Sequence, residues 1–527
     1  MYLLFPGRHH LLTDFQFKYL FRLIKCGLSG EKDVSGIPLN IDNPVEAIIV
    51  PVTSANHANT RRNPVPFYLR AMAIEKFCDM LQVPSFIYGI DDVGNLRDFA
   101  SYTIKRIAHQ SENRLVLTPK NTVVLCSTPV LTMYEKTGFR ILPVELTDRA
   151  TWTHSPDVPW TIIERVAQCP GDWRGNKDVI SQIHPASFEL WSRYNLGDKV
   201  RMLFSDPMLG EDGDITKTRD YNTYVRQMDE IAEQKFSDTA RYIRPGRIGD
   251  IGCAVGSWLK FVADDERFRE SDLFGIEVVR HLFTICEQRK QNLEFANPFV
   301  FFSQKNALTG LVFDKDSMDT IHTSSLTHEI ESYGGRKDLM RFIGNRFHEL
   351  APGGVWINRD VVGPGSADRE VLLWLDRDGR GSAPRLPEEK DRRRLSEKST
   401  HELFLIFARE FRQKEGYTLQ FAEETIGSTP YVRCSLRDAC EFLSKKDYID
   451  NWASEMHETF CFWDFNEWKA HLEAIGFAIH PESRAFTNPW IVKNRFEKTA
   501  RIMIRENGRL SQLPWPETHM ILIAQKL

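Results

Sequence analysis

Paired cysteines, long apolar runs and an excess of positive charge are all missing from this 527-residue sequence. Its nine cysteines form no CxxC pair and no Cys/His spacing that would close a tetrahedral zinc site, so reduced, mostly buried thiols are expected and no metal. No apolar run approaches the roughly 18 residues that a membrane helix needs. The opening MYLLFPGRHH lacks the basic, apolar and small-residue regions of a secretion signal, and a cytoplasmic protein with no membrane partner is expected. A net charge of -4 and a pI near 6.5 supply no broad positive field, which argues against a nucleic-acid partner.

Present instead are 42% hydrophobic residues, with 34 Phe and 12 Trp, enough for more than one packed core. Through residue 197 strand patterns (YLLFPG, EAIIVPV, SFIYGI, TVVLCST, FRILPVEL) alternate with helical ones. That alternation predicts a parallel sheet wound with helices on both faces, and such sheets bind ligands beyond the carboxyl ends of their strands. The turn FPGRHHLLTDFQ follows the first strand and opens a helix, where backbone N–H groups can meet a phosphate. PVTSANHANTRRNPVPFYLRAM follows the second and supplies Arg61, Arg62 and Arg70.

Gly7-Arg8-His9-His10, Thr13 to Gln16, Thr53-Ser54-Ala55-Asn56, Thr60, Asn63-Pro64 and Arg70 together resemble the signatures of nicotinamide-nucleotide adenylyltransferases. The resemblance implies a nucleotide site formed by Gly7, Arg8, His10, Thr13, Gln16, Asn63 and Arg70. The chain departs from the pattern at Gln16, where the family has its second catalytic His, and at Phe15, where it has Gly. Glu164 also stands in a late element whose Arg meets the triphosphate, with Arg165 one position out of step. These departures favour binding or a repurposed reaction over adenylyl transfer. Were nucleotidylyl chemistry retained, Mg²⁺ would enter with the phosphates.

Residues 198–240 read as a linker, with a loop at Gly210 to Thr218 and a leading polar helix, and 241–527 as a second α/β domain. In IGDIGCAVGSWLKFV, Asp250, Gly252, Ala254 and Gly256 form a glycine turn between a strand and a helix. DLFGIEVV ends a strand on Glu277, whose two oxygens suit a ribose diol, and Asn306 follows a third strand. The loop, the acidic strand end, a Gly-Gly turn at 353 and 354, and two late strands resemble the class I S-adenosylmethionine-dependent methyltransferases. This implies a seven-stranded doubly wound sheet with an antiparallel edge. It also implies S-adenosylmethionine bound by Asp250, Gly252, Ala254, Gly256, Glu277 and Asn306.

After the fourth strand His328 is the candidate base or orienting group, with Glu329 as its partner and Asp360 at the end of the fifth strand as a further catalytic contact. An insertion over about 363–470 reads as a helical cap, opening with a mixed-charge surface run. Its Trp452, His457, Phe462 and Trp463 could stack on a flat substrate or form the cap's own core. The expected activity is methyl transfer to a small molecule, nucleotide-linked or NAD-derived and belonging to specialised metabolism. Two alternatives stand beside it, a bifunctional adenylyltransferase/methyltransferase and an RNA methyltransferase with an N-terminal docking module. Oligomeric state is left open.

Overall fold

The computed structural model describes residues 1–93, 98–205, 221–378, 395–506 and 508–527. The expected loop at Gly210 to Thr218 and most of the mixed-charge run lie outside the described residues. The chain divides into two units, Met1–Ile215 and Thr216–Leu527.

In the first unit the apolar stretches become β1 (Tyr2–Leu4), β2 (Ala47–Thr53), β3 (Ser85–Ile90), β4 (Thr122–Leu125) and β5 (Arg140–Leu142). They pair in parallel in the order β3-β2-β1-β4-β5, as the alternation predicted. Successive residues point to opposite faces. Leu3, Ile48 and Val123 pack on one side with the helices Asp14–Cys26 and Phe67–Asp79, while Leu4, Ile49 and Val124 pack on the other with Phe99–Gln110. Burial on both faces explains why β1, β2 and β4 are apolar almost throughout rather than alternating.

After a short hairpin, β6 (Leu146–Asp148) and β7 (Thr153–His154), a third core joins helix Pro159–Gln168 to helix Leu196–Ser205 through Ile162, Ile163, Trp173, Trp191 and Val200. Residues 198–205, read from sequence as linker, therefore belong to the first unit, because Val200 is buried there.

The second unit carries β8 (Arg247–Ile251), β9 (Asp272–Glu277), β10 (Val300–Gln304), β11 (Met318–Ser324) and β12 (Leu350–Val361), all parallel. Further on lie β13 (Glu370–Leu375), β14 (Ala422–Ile426), β15 (Thr429–Ser435), β16 (Phe477–Ile479), β17 (Arg484–Phe486), β18 (Ala500–Glu506), β19 (Arg509–Gln512) and β20 (His519–Lys526). The main sheet runs β10-β9-β8-β11-β12-β20-β16, with β17 also on β20. Numbered along this path alone, without β17, the order is 3-2-1-4-5-7-6 with an antiparallel β20, the class I methyltransferase arrangement.

The insertion differs from the expected helical cap. It is built on an antiparallel sheet, β14-β15-β13-β18-β19, covered by helices Thr400–Glu410 and Leu436–Lys445. Two of its strands come from beyond residue 470, since β18 and β19 lie between β17 and β20. β13 pairs with β18 across more than 120 residues and leaves no local signature, whereas β14 and β15 meet across the tight turn between Ile426 and Thr429.

Candidate active site

Because β8, β9, β11 and β12 are parallel, their carboxyl ends bring the glycine loop, Glu277, Ser324 and Asp360 to one edge of the second unit's main sheet. Gly252 and Gly256 take left-handed φ values of 72° and 74°. A Cβ on Gly252 would also lie 3.1 Å from the Leu326 side chain, so both backbone and space call for glycine there. The loop turns back onto β9, with the Gly252 and Cys253 amides donating to the Ile276 carbonyl at 2.8 and 3.1 Å. Ala254, where the usual pattern has a third glycine, accommodates a φ of 50°, and its amide donates to Glu277 Oε2 at 2.9 Å. Glu277 Oε1 accepts the Val279 amide at 2.7 Å.

Burial pushes the Glu277 carboxyl up to about 7, against the opposing pull of these amides. Each oxygen keeps a lone pair for a further donor. Asn306 lies in the turn after β10, where its Oδ1 accepts the Leu308 amide at 2.9 Å.

Asp250 is oriented from β11 by His322, whose Nδ1 lies 2.7 Å from Asp250 Oδ1 and whose ring stacks 3.9 Å from Trp258. Lys235, on helix Tyr221–Thr239, is buried nearby. Desolvation and then the charge of Arg359 bring its ammonium down to about 8, while Asp250, Asp360 and Glu329 pull the other way.

At the start of helix Thr327–Glu349, Asp360 is the organising group. Its Oδ2 accepts the Thr327 amide at 2.7 Å and the Thr327 hydroxyl at 2.6 Å, and its Oδ1 lies 2.7 Å from His328 Nδ1. The far nitrogen of that ring, Nε2, faces Glu458 Oε2 at 3.7 Å, and Phe460 packs edge-on against the ring at 5.0 Å. Glu458 Oε1 accepts from the Tyr333 and Ser454 hydroxyls, each at 3.2 Å. Burial alone would lower the His328 pKa, but Asp360, with help from Glu458 and Glu329, raises it to about 9. The same pairing holds Asp360 at about 2 although burial opposes it.

The cap aromatics have partners of their own. Trp452 is in the insertion core and donates to Glu410, Trp463 stacks on His471 at 4.1 Å, and His457 pairs with Glu415. Phe462 packs near Trp463 and Trp468.

In the first unit a cavity of about 340 Å³ is lined by Arg8, Arg61, Arg62, Trp160, Glu164 and Phe204. His10 lies beside it, its ring 6.4 Å from that of Trp160. It is 5% exposed beside Asn63, and burial followed by the charges of Arg70 and Arg8 holds it neutral.

Other residues of the expected nucleotide site have structural work. Thr13 and Gln16 form the capping box of helix Asp14–Cys26, and Gln16 Nε2 donates to Glu145 at 2.8 Å. Arg70 donates to the carbonyls of Arg8, Thr53 and Ser54 at 3.0, 2.8 and 2.8 Å, clamping the two loops together. The Asn63 backbone N–H donates to the Thr60 hydroxyl, while its side-chain Oδ1 is buried beside His10. The Cβ direction at Gly7 points at the His9 ring, 2.9 Å from Nε2. Arg165 pairs with Asp157 at 2.8 Å, and Glu164 accepts the Trp160 indole N–H at 2.9 Å.

No family model and no curated protein matches the sequence. Among solved structures, a putative S-adenosylmethionine-dependent methyltransferase from Listeria monocytogenes is similar at 12% identity, over 56% of this chain and 99% of that one, with a TM-score of 0.30. A counterpart from Methanosarcina mazei gives 16%, 55%, 97% and 0.29, and one from Mesorhizobium loti 13%, 56%, 99% and 0.31. Likeness this distant carries no weight for chemistry.

Lys235, His322 and Glu458 join the site without having been singled out in the sequence. His322 has a local signal, an imidazole in the middle of a mostly buried strand. Glu458 comes from the insertion, more than 100 residues from His328, and no spacing could have revealed it.

Proposed function

We propose that the second unit is an S-adenosylmethionine-dependent methyltransferase of a small molecule, and that the first unit binds the nucleotide part of a nucleotide-linked or NAD-derived substrate. The observation that carries the first half is the left-handed glycine loop closed onto Glu277, a buried carboxylate at the end of the second strand of a 3-2-1-4-5-7-6 sheet. That pair fits an adenosyl ligand: the glycines let it lie against the backbone, and the carboxylate accepts the two ribose hydroxyls. When bound, S-adenosylmethionine supplies an electrophilic methyl group on its sulfonium. The chain's task is to hold the acceptor atom in line with that group, and His328, Glu329, Tyr333 and Glu458 line the adjoining space. With a pKa near 9, His328 is protonated at neutral pH and positions or donates rather than removes a proton.

Calorimetric titration of the full chain with S-adenosylmethionine tests this reading. Micromolar binding is expected, and a silent titration overturns it. A pH signature goes with it. Ribose hydroxyls bond best to the ionised carboxylate, so with Glu277 titrating near 7, binding below that pH releases a proton. Affinity is expected to rise as pH climbs to about 7 and then level off. Buffers of different ionisation enthalpy would give different binding heats at pH 6 and the same heat at pH 8.

The first unit's cavity offers arginines for phosphate and the Trp160 and Phe204 rings for a base, beside a neutral His10. The hydrogen bonding of Gln16 to Glu145 supports binding over adenylyl transfer, because a carboxylate there repels a triphosphate. With the methyl donor saturating, titration of the full chain with NAD, nicotinamide mononucleotide, AMP and ATP should show binding that Arg8→Ala weakens about tenfold, the worth of one charge-assisted contact. No heat from any of the four would make this unit a scaffold.

A further inference from the structure

The space between helix Thr327–Glu349 and the insertion has the makings of a metal site, although the sequence shows no metal-binding motif. His328, Glu329 and Glu458 each offer a ligand atom, and these atoms lie within 4.8 Å of one another. The His328 side chain is 7% exposed and its Nε2 points at Glu458 Oε2, 3.7 Å away. Its orientation is not accidental. Nδ1 is held by Asp360 at 2.7 Å, and Asp360 is itself pinned by the Thr327 amide and hydroxyl, the outer-shell arrangement that fixes a ligating imidazole with its other nitrogen outward. On the opposite side Tyr333 and Ser454 bond to Glu458 Oε1 and leave Oε2 turned toward the imidazole.

The carboxylates of Asp360, Glu458 and Glu329 all act on the one imidazole. Lys235 feels the charges of Asp360 and Glu329. The cap's Lys445 is committed to Glu441, and Arg412 faces Glu331 at 3.9 Å.

We infer that His328 Nε2, Glu329 and Glu458 bind a divalent cation of the Mn²⁺ or Zn²⁺ type, with Asp360 positioning the imidazole. One nitrogen and two carboxylate ligands suit these ions better than Ca²⁺, which takes oxygen cages, or Cu(I), which takes sulfur. Three protein ligands leave coordination positions open, the mark of a site that meets a substrate rather than one that only holds the fold together. The ion would take the place of the proton on His328 Nε2, as coordination by an imidazole requires, and receive an oxygen of the methyl acceptor, either a carboxylate or a hydroxyl whose lowered pKa would let its proton pass to solvent. The acceptor chemistry rests on the methyltransferase reading. The ion itself does not.

The full-length chain, stripped with EDTA and desalted, would be titrated with MnCl₂ while the signal of free Mn²⁺ is followed by electron paramagnetic resonance. One saturable site per chain is expected, with ¹⁴N coupling from the imidazole. Glu458→Gln and His328→Gln should each weaken it at least tenfold, with the nitrogen coupling absent in the latter, and Asp360→Asn should weaken it 10- to 100-fold. Circular dichroism melting of each variant separates a lost ligand from a lost fold, and a rise in the wild-type midpoint on adding Mn²⁺ or Zn²⁺ supplies a readout without any variant. Absence of saturable binding and of any midpoint shift with both ions overturns the site, as does binding that survives unchanged in folded Glu458→Gln and His328→Gln. Titration with S-adenosylmethionine in EDTA keeps the two readings apart, since donor binding that persists without metal leaves the methyltransferase reading standing when the ion fails.

Discussion

Replacing Glu277 by alanine should abolish measurable binding of S-adenosylmethionine, with a loss of roughly 100-fold or more. The carboxylate is offered two hydroxyl donors by the ribose, and a hydrogen bond to a charged group is worth about 1.5–3 kcal/mol, so losing both removes about 3 kcal/mol at the least. The side chain also accepts the amides of Ala254 and Val279, so its removal loosens the glycine loop as well as the ribose contact. Glu277→Gln separates these effects. It keeps the shape and one acceptor oxygen, so its unfolding midpoint should stay near that of the parent while affinity still falls, and the dependence of affinity on pH below 7 should vanish. Unchanged affinity in a folded Glu277→Ala chain would remove the cofactor assignment for this edge of the sheet.

The largest effect on stability is expected at Asp360. Its carboxylate is 1% exposed, pairs with His328 and receives backbone N–H groups at the start of helix Thr327–Glu349. Asp360→Ala strands a buried imidazolium and leaves those donors unmet, and breaking one partner of a buried pair lowers stability by about 3–5 kcal/mol. Urea unfolding followed by circular dichroism would measure it. A loss below about 1 kcal/mol would mean that the pair is not formed in solution.

The pair also sets a pH window. His328 titrates near 9, above its unfolded value of 6.5, so its contribution is complete below 6.5 and fades as pH rises through 9. Asp360 titrates near 2, below its unfolded value of 3.8, so its contribution is complete above 3.8 and fades as pH falls through 2. Metal-free wild type should therefore lose stability between pH 7 and 9, and Asp360→Asn should lose less over the same range.

What the sequence determined by itself is what repeats locally. Uniformly apolar strands alternating with amphipathic helices imply parallel sheets, and both sheets formed with their strands where the patterns placed them. The glycines of Asp250 to Gly256 and the acid at the end of the next strand were legible because tight turns and strand ends constrain residue type within a few positions. His328 and Asp360 were legible through their places after neighbouring strands, and the fold sets the two side chains in contact.

Tertiary structure alone decided the rest. A side chain's partner can lie hundreds of residues away, and one residue type serves several ends. Arg70 reads as a phosphate ligand but turns both terminal nitrogens to backbone carbonyls, and Gln16 caps a helix and bonds Glu145. The cap's sheet takes β18 and β19 from beyond the main insertion, and Glu458 reaches His328 only because that insertion folds back over the strand ends. Strand pairing and charge placement at such separations depend on the closed chain, where burial makes an unmet polar group costly and so selects the partners that no stretch of sequence can name.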